Sequence, residues 1–221
     1  MATLSEAKES FTRAYGCKGR FVRSRKDVAH AVNLAYRDLT PRTIAGLKRI
    51  DKGQKEQIRK AKELLADELM DWLLSAEAPA NQEEFDRAHD ALCSRFLDRY
   101  NEVLAACGLP EQAYGKAQKI VNMALKYLYC FDDGAEIDGW LRFGHLPIDT
   151  LTLRWCRESG MFTGGVSWGR LTKREYDAFQ RELRAWLARA KPTVDGAPLP
   201  ERLIDAETVI WDYEKRLEGK N

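Results

Sequence analysis

The sequence predicts an all-α chain, on three observations. Apolar residues recur at three- and four-residue spacing along most of its length, no run alternates convincingly with period two, and capping and breaking residues punctuate the apolar stretches at helix-length intervals. With 221 residues, 44% hydrophobic and 32% charged, the chain can bury a sizeable core. It reads as a single helical domain over 1–221.

The elements follow in order. Helices are expected over 4–14, 25–38, 41–50, 54–76, 81–107, 113–131, 149–158, 172–190 and 200–217. Thr40-Pro41 reads as an N-cap followed by proline at the first helical position, and Thr172-Lys173-Arg174-Glu175 has capping-box spacing. Ala78-Pro79-Ala80-Asn81 ends one helix and caps the next, and Gly108-Leu109-Pro110 ends a long one. Two stretches stay irregular: 132–148, with a short helix around Trp140, and 160–170, which carries Gly164-Gly165 and Trp168. The last helix offers Leu203, Val209, Ile210 and Leu217 for packing onto the body.

Composition excludes several classes. There is no run of about eighteen apolar residues, and the opening MATLSEAKESFTRAYG has no apolar segment of the kind a signal peptide needs. No membrane association is therefore expected, and the expected location is the cytoplasm or nucleoid. Cys17, Cys93, Cys107, Cys130 and Cys156 are scattered and odd in number, as free thiols would be. With no C-x-x-C and with His30, His89 and His145 standing apart, neither a metal site nor a cofactor is expected.

A net charge of +2 conceals an asymmetry. Residues 13–62 hold fifteen Lys and Arg against four Asp and Glu, whereas 63–111 hold three against twelve. Such a distribution lets one face attract an anionic polymer while the whole stays nearly neutral; the alternative is a solvated helical surface. Arg20, Arg23, Arg25 and Lys26, with Lys48, Arg49, Lys52 and Lys55, are the candidate phosphate contacts.

The chemistry-bearing region runs from Gly108 to Arg157. Asp149 follows Pro147-Ile148 and precedes a helical pattern, so it reads as an N-cap whose carboxylate faces the positive end of a helix and stays ionised. Lys116 and Lys119 both sit early in the helix that follows the Gly108 turn. An ammonium is disfavoured there, which lowers the pKa and favours the neutral amine that nucleophilic attack needs. A lysine opposite an ionised aspartate is a pair suited to cleaving an N-glycosidic bond: the amine attacks C1′ and the carboxylate stabilises the oxocarbenium-like charge. The bland alternative is an exposed lysine beside a capping aspartate.

Gly115-Lys116 before an apolar helix, then Pro147-Ile148-Asp149-Thr150 leading a helix that contains Arg154, resembles the signature of the helix-hairpin-helix, Gly/Pro-Asp DNA glycosylases. The spacing of Lys116 and Asp149, with Tyr127 and Trp155, is similar to the archaeal 8-oxoguanine glycosylase branch. The absence of a four-cysteine motif after it sets aside the endonuclease III and adenine glycosylase branches. The resemblance covers about 50 residues, with the hairpin and catalytic region at roughly 100–158. It implies two helical lobes with a cleft, Lys116 as nucleophile with Asp149, and Lys119 and Gly115 among the DNA contacts. Lys119 stays a competitor for the nucleophile position, and the match at Gly115 favours Lys116.

By the same resemblance, Trp211 and Glu207, one turn apart, are candidates for a pocket that holds an extruded base. Trp72, Trp140, Trp168 and Trp186 are assigned to packing. The implied activity is excision of an oxidised or otherwise modified base from duplex or single-stranded DNA, by a monomer, with or without strand cleavage at the abasic site. The rival readings are a catalytically inactive helical module that binds nucleic acid or protein, and an unrelated helical adaptor.

Overall fold

The computed structural model describes residues 3–15, 24–39, 44, 46–74, 77–131, 137–161 and 163–219. Capping chemistry sets most of the helix starts. Helix α1 (Leu4–Ala14) opens with a capping box between Thr3 and Glu6. Helix α2 (Arg25–Leu39) leads to α3 (Lys52–Leu74), whose start is fixed by reciprocal bonds between Asp51 and Gln54 at 2.8 and 2.9 Å. Asn81 caps α4 (Gln82–Ala106), and after the turn at Gly108 comes α5 (Tyr114–Phe131). The short α6 (Asp138–Leu141) lies around Trp140, and Asp149 caps α7 (Thr150–Glu158). The predicted box at Thr172 and Glu175 opens α8 (Lys173–Ala190), and α9 is Leu203–Glu218.

Two expectations need correction. The helix over 41–50 is not present in the described part of that stretch, where only Leu47–Arg49 form one 3-10 turn. Gly46 precedes it at φ 83°, a left-handed conformation that stops a helix from running through. The Thr40-Pro41 cap lies outside the described residues. Between α8 and α9, a two-stranded antiparallel hairpin pairs β1 (Thr193–Val194) with β2 (Ala197–Pro198). Its turn, Asp195-Gly196, has positive φ at both positions, and that dipeptide is a recognisable hairpin signal.

Helix α5 is the centre of the fold. It packs against α1, α2, α4, α6, α8 and the 3-10 turn Trp168–Arg170, while α1 and α7 also pack on α9. Enclosure of this helix buries polar residues as well as apolar ones, and Lys116, Gln118, Asn122 and Lys126 must find their partners inside the protein. Of the 18 residues of α5, Lys119 alone is not buried. Among the described residues the buried apolar side chains form one cluster that takes in α1 through α9. Among the described residues no helix is long and apolar enough to cross a membrane.

Candidate active site

The single unburied position of α5 faces the N-cap of α7. Lys119 Nζ donates to Asp149 Oδ2 at 2.9 Å, with 12% and 22% of the two side chains exposed. The other carboxylate oxygen accepts from the amides of Leu151 and Thr152 at 2.9 and 3.0 Å, so the helix end anchors Asp149 while one oxygen stays turned to the lysine. Burial pushes this carboxyl up, but Lys119, the Thr152 amide and Lys126 outweigh it and hold it below its ordinary 3.8.

The carboxylate's partner is therefore Lys119 and not Lys116. Lys116, its i−3 neighbour on the helix surface, points under the Trp168–Arg170 turn instead. Its ammonium lies 4.4 Å from the centre of the Trp168 indole, and Lys119 lies 4.9 Å from the same centre. Burial, then the neighbouring charge of Lys119, lowers the Lys116 pKa. Trp168 was assigned to packing by the sequence; here it flanks both lysines and donates from Nε1 to Thr150 Oγ1 at 3.1 Å.

Gly115 does not shape the hairpin turn. It permits the Trp168–Arg170 turn to cross α5: its amide donates to Leu171 O at 2.9 Å, and a Cβ there would sit 1.8 Å from the Trp168 carbonyl oxygen.

Two turns beyond Lys119, about 10 Å along the helix, lies a second ion pair on the same face of α5. Lys126 Nζ approaches Glu207 Oε2 of α9 at 2.5 Å, with 0% and 5% of the side chains exposed. The ammonium is 4.2 Å from the centre of the Phe11 ring and 5.2 Å from that of Trp211, which meets Phe11 edge-on at 4.9 Å. Glu207 and Trp211 thus stand together, as their one-turn spacing implied. Burial raises the Glu207 carboxyl, Lys126 opposes that, and Asp149 adds to it. Sequence reasoning passed over Lys126, although a solitary lysine inside an apolar helix is a signal for a buried counter-charge.

Beside these pairs, Tyr127 donates to Asp38 Oδ2 at 2.7 Å. The Asp38 carboxyl, raised by burial and lowered by Tyr127 and Lys119, adds a third acid near the two lysines of that face.

The candidate phosphate contacts fall into separate groups. Lys48, Arg49 and Lys52 are exposed on the 3-10 turn and the first residue of α3, next to the α4–α5 turn, where Gly46 backs against Leu109. Arg25 and Lys26 are exposed at the start of α2, with Arg25 paired to Asp67. Arg20 and Arg23 lie outside the described residues. Among the described residues no cluster of three or more His, Cys, Asp or Glu could hold a metal ion. Comparison with family models, curated proteins and solved structures returns no match to this chain.

Proposed function

We propose that the protein is a DNA glycosylase that excises a modified base from duplex or single-stranded DNA, with Lys119 rather than Lys116 as the nucleophile. One observation carries this reading: the sole unburied residue of a buried helix is a lysine held 2.9 Å from an N-cap carboxylate. A lysine–aspartate contact on a surface is ordinary, but here both groups are fixed by the core and open to solvent on one side.

In the proposed reaction the Lys119 ammonium first gives up a proton to water, the resulting amine attacks C1′ of the deoxyribose and the base departs with the electrons of the N-glycosidic bond. Asp149 accepts the proton that the amine sheds as the new C–N bond forms, and its charge stabilises the cationic sugar on the way. The Lys126–Glu207 pair supplies a donor and an acceptor for the edge of an extruded base, and Trp211 and Phe11 supply aromatic surface beside them. Lys48, Arg49 and Lys52, next to the α4–α5 turn, are suited to the phosphates.

The test is borohydride trapping over a panel of duplexes and single strands that carry single modified bases. A covalent adduct is expected with the wild-type protein, none with Lys119→Gln, and one with Lys116→Gln. An adduct that persists in Lys119→Gln overturns the assignment. DNA binding with no base release and no adduct on any substrate would favour the non-catalytic binding module.

A further inference from the structure

The residue that precedes each member of the reactive pair is joined to the other by its amide groups. Gln118, next to Lys119, donates from Nε2 to Ile148 O at 2.8 Å, and Ile148 N donates back to Gln118 Oε1 at 3.3 Å. Ile148 precedes Asp149. Both residues are fully buried, so the Ile148 peptide groups need protein partners, and the glutamine amide serves both as a neighbouring strand would.

The amide is itself held in one orientation. Nε2 also donates to Gly115 O at 2.9 Å, and Oε1 also accepts from Asn122 Nδ2 at 3.0 Å, so a flipped amide would set like against like at every contact. Asn122 donates its second amide hydrogen to Tyr176 OH at 2.8 Å, which leaves its oxygen to accept from His89 Nε2, also at 2.8 Å. Tyr176 then donates to His145 Nδ1, and His145 Nε2 donates to Asp86 at 2.7 Å. Each group in this chain has one arrangement of its protons.

The segment that leads to Asp149 is gripped at each residue. Leu146 O accepts from Gln180 of α8 at 2.6 Å, Pro147 O from Thr152 of α7 at 2.8 Å, and Ile148 O from Gln118 of α5. Gln180 and Thr152 fix the segment to other helices. Of these three, Gln118 is the one that fixes it to the helix that carries Lys119.

We infer that Gln118 is a positioning residue that sets the register between Lys119 and Asp149, so that the amine and the carboxylate keep their contact while DNA is bound and the sugar attacked. This rests on the glycosylase reading given above. Because misplacement by about 1 Å can cost about 100-fold in rate, the effect belongs on the chemical step and not on DNA affinity.

The experiment uses the full chain and a duplex with one aldehydic abasic site, which requires no knowledge of the base removed. Gln118→Glu keeps the volume and loses the donors; Gln118→Met loses both sets of bonds. In single-turnover trapping, both variants are expected to form the adduct about 100-fold more slowly, with the DNA concentration for half-maximal rate shifted by less than about threefold. A merely structural role would lower the fraction of active protein and leave its rate alone.

Gln180→Met, which releases Leu146 three residues before Asp149, is expected to slow the reaction less. In parallel, the NMR shifts of the Lys119 ammonium and Asp149 carboxyl are expected to move in both Gln118 variants, a readout that needs no activity. Should Gln118→Met not fold, Gln118→Glu carries both measurements. A wild-type rate in either folded variant, or unmoved shifts, overturns the inference. If the wild-type protein forms no adduct while the shifts do move, the positioning of the pair stands and the glycosylase reading fails.

Discussion

The two ion pairs on one face of α5 differ most in their exposure, and that difference bears on what each could do. Lys119 and Asp149 keep 12% and 22% of their side chains exposed, whereas Lys126 and Glu207 keep 0% and 5%. A partly exposed amine has a path to a substrate atom that a fully enclosed one lacks. An enclosed pair reaches a ligand only if the aromatic groups around it give way, and its attraction is spent against the cost of removing two charges from water. Under the proposed function, reactivity is assigned to the open pair and the closed pair serves as a polar surface inside an apolar wall.

The contrast can be broken most forcefully at the closed pair. Lys126→Met alone is expected to cost about 3 to 5 kcal/mol, since it strands Glu207 as a buried unpaired carboxylate. Lys126→Met with Glu207→Leu is expected to recover most of that loss. Urea unfolding of the two single variants and the double variant measures the coupling, and three nearly additive losses would show that the pair is not enclosed in solution.

At the open pair the expected loss is in rate. Asp149→Asn keeps an N-cap side chain and removes the charge, so adduct formation is expected to fall by about 100- to 1000-fold while stability changes by about 1 kcal/mol or less. A fall in stability as large as that of Lys126→Met would make Asp149 a structural residue instead.

Acidity sharpens the comparison because the two carboxyls are shifted in opposite directions. Asp149 is held below 3.8 in the fold, so its charge stabilises the protein above that value, and the contribution disappears as pH falls through the folded pKa. Glu207 is raised above 4.5, so the unfolded chain ionises first and stability is lost as pH rises from 4.5 through the folded pKa. In stability–pH curves, Asp149→Asn is expected to flatten the acid limb below 3.8 and Glu207→Gln the decline above 4.5. Exchange of those two effects would reverse the account of the pairs.

The smallest effect expected is on salt dependence. Replacing Lys48, Arg49 and Lys52 by Ala should reduce the slope of log affinity against log salt by about 1 for each lost phosphate contact. Arg25→Ala should change it less, because Asp67 already neutralises that guanidinium.

Local chemistry explains what could be read from the residues alone. Thr3, Asn81, Asp149 and Thr172 are caps that act within three residues, so the helix starts and the ionised Asp149 follow from short stretches of sequence. The choice between Lys116 and Lys119 did not. It depends on which part of the polar face of α5 is left open, and Lys116, Gln118, Lys119, Asn122 and Lys126 all lie on or near that face while only Lys119 escapes burial. The same limit hid Trp168, which reaches the lysines through a turn held by Gly115, and the chain from Asn122 through Tyr176 to Asp86, whose members come from α5, α8 and α4. Gly46 could have warned against a helix through 41–50, since its conformation there is one that a helix interior never uses.

The crossing at Gly115 has a consequence for descent as well as for shape. A methyl group there would occupy the space of the Trp168 carbonyl, so even alanine would lift the Trp168–Arg170 turn off α5 and uncover Lys116. Gly108 in the α4–α5 turn faces no such limit on space: a Cβ there would meet nothing within 4 Å, although its φ of +66° still favours glycine. Homologues that keep this site are therefore expected to retain Gly115, where space forbids any side chain. Genealogy is better traced through that position, together with Gln118 and Lys126, than through the hairpin whose outline first draws the eye.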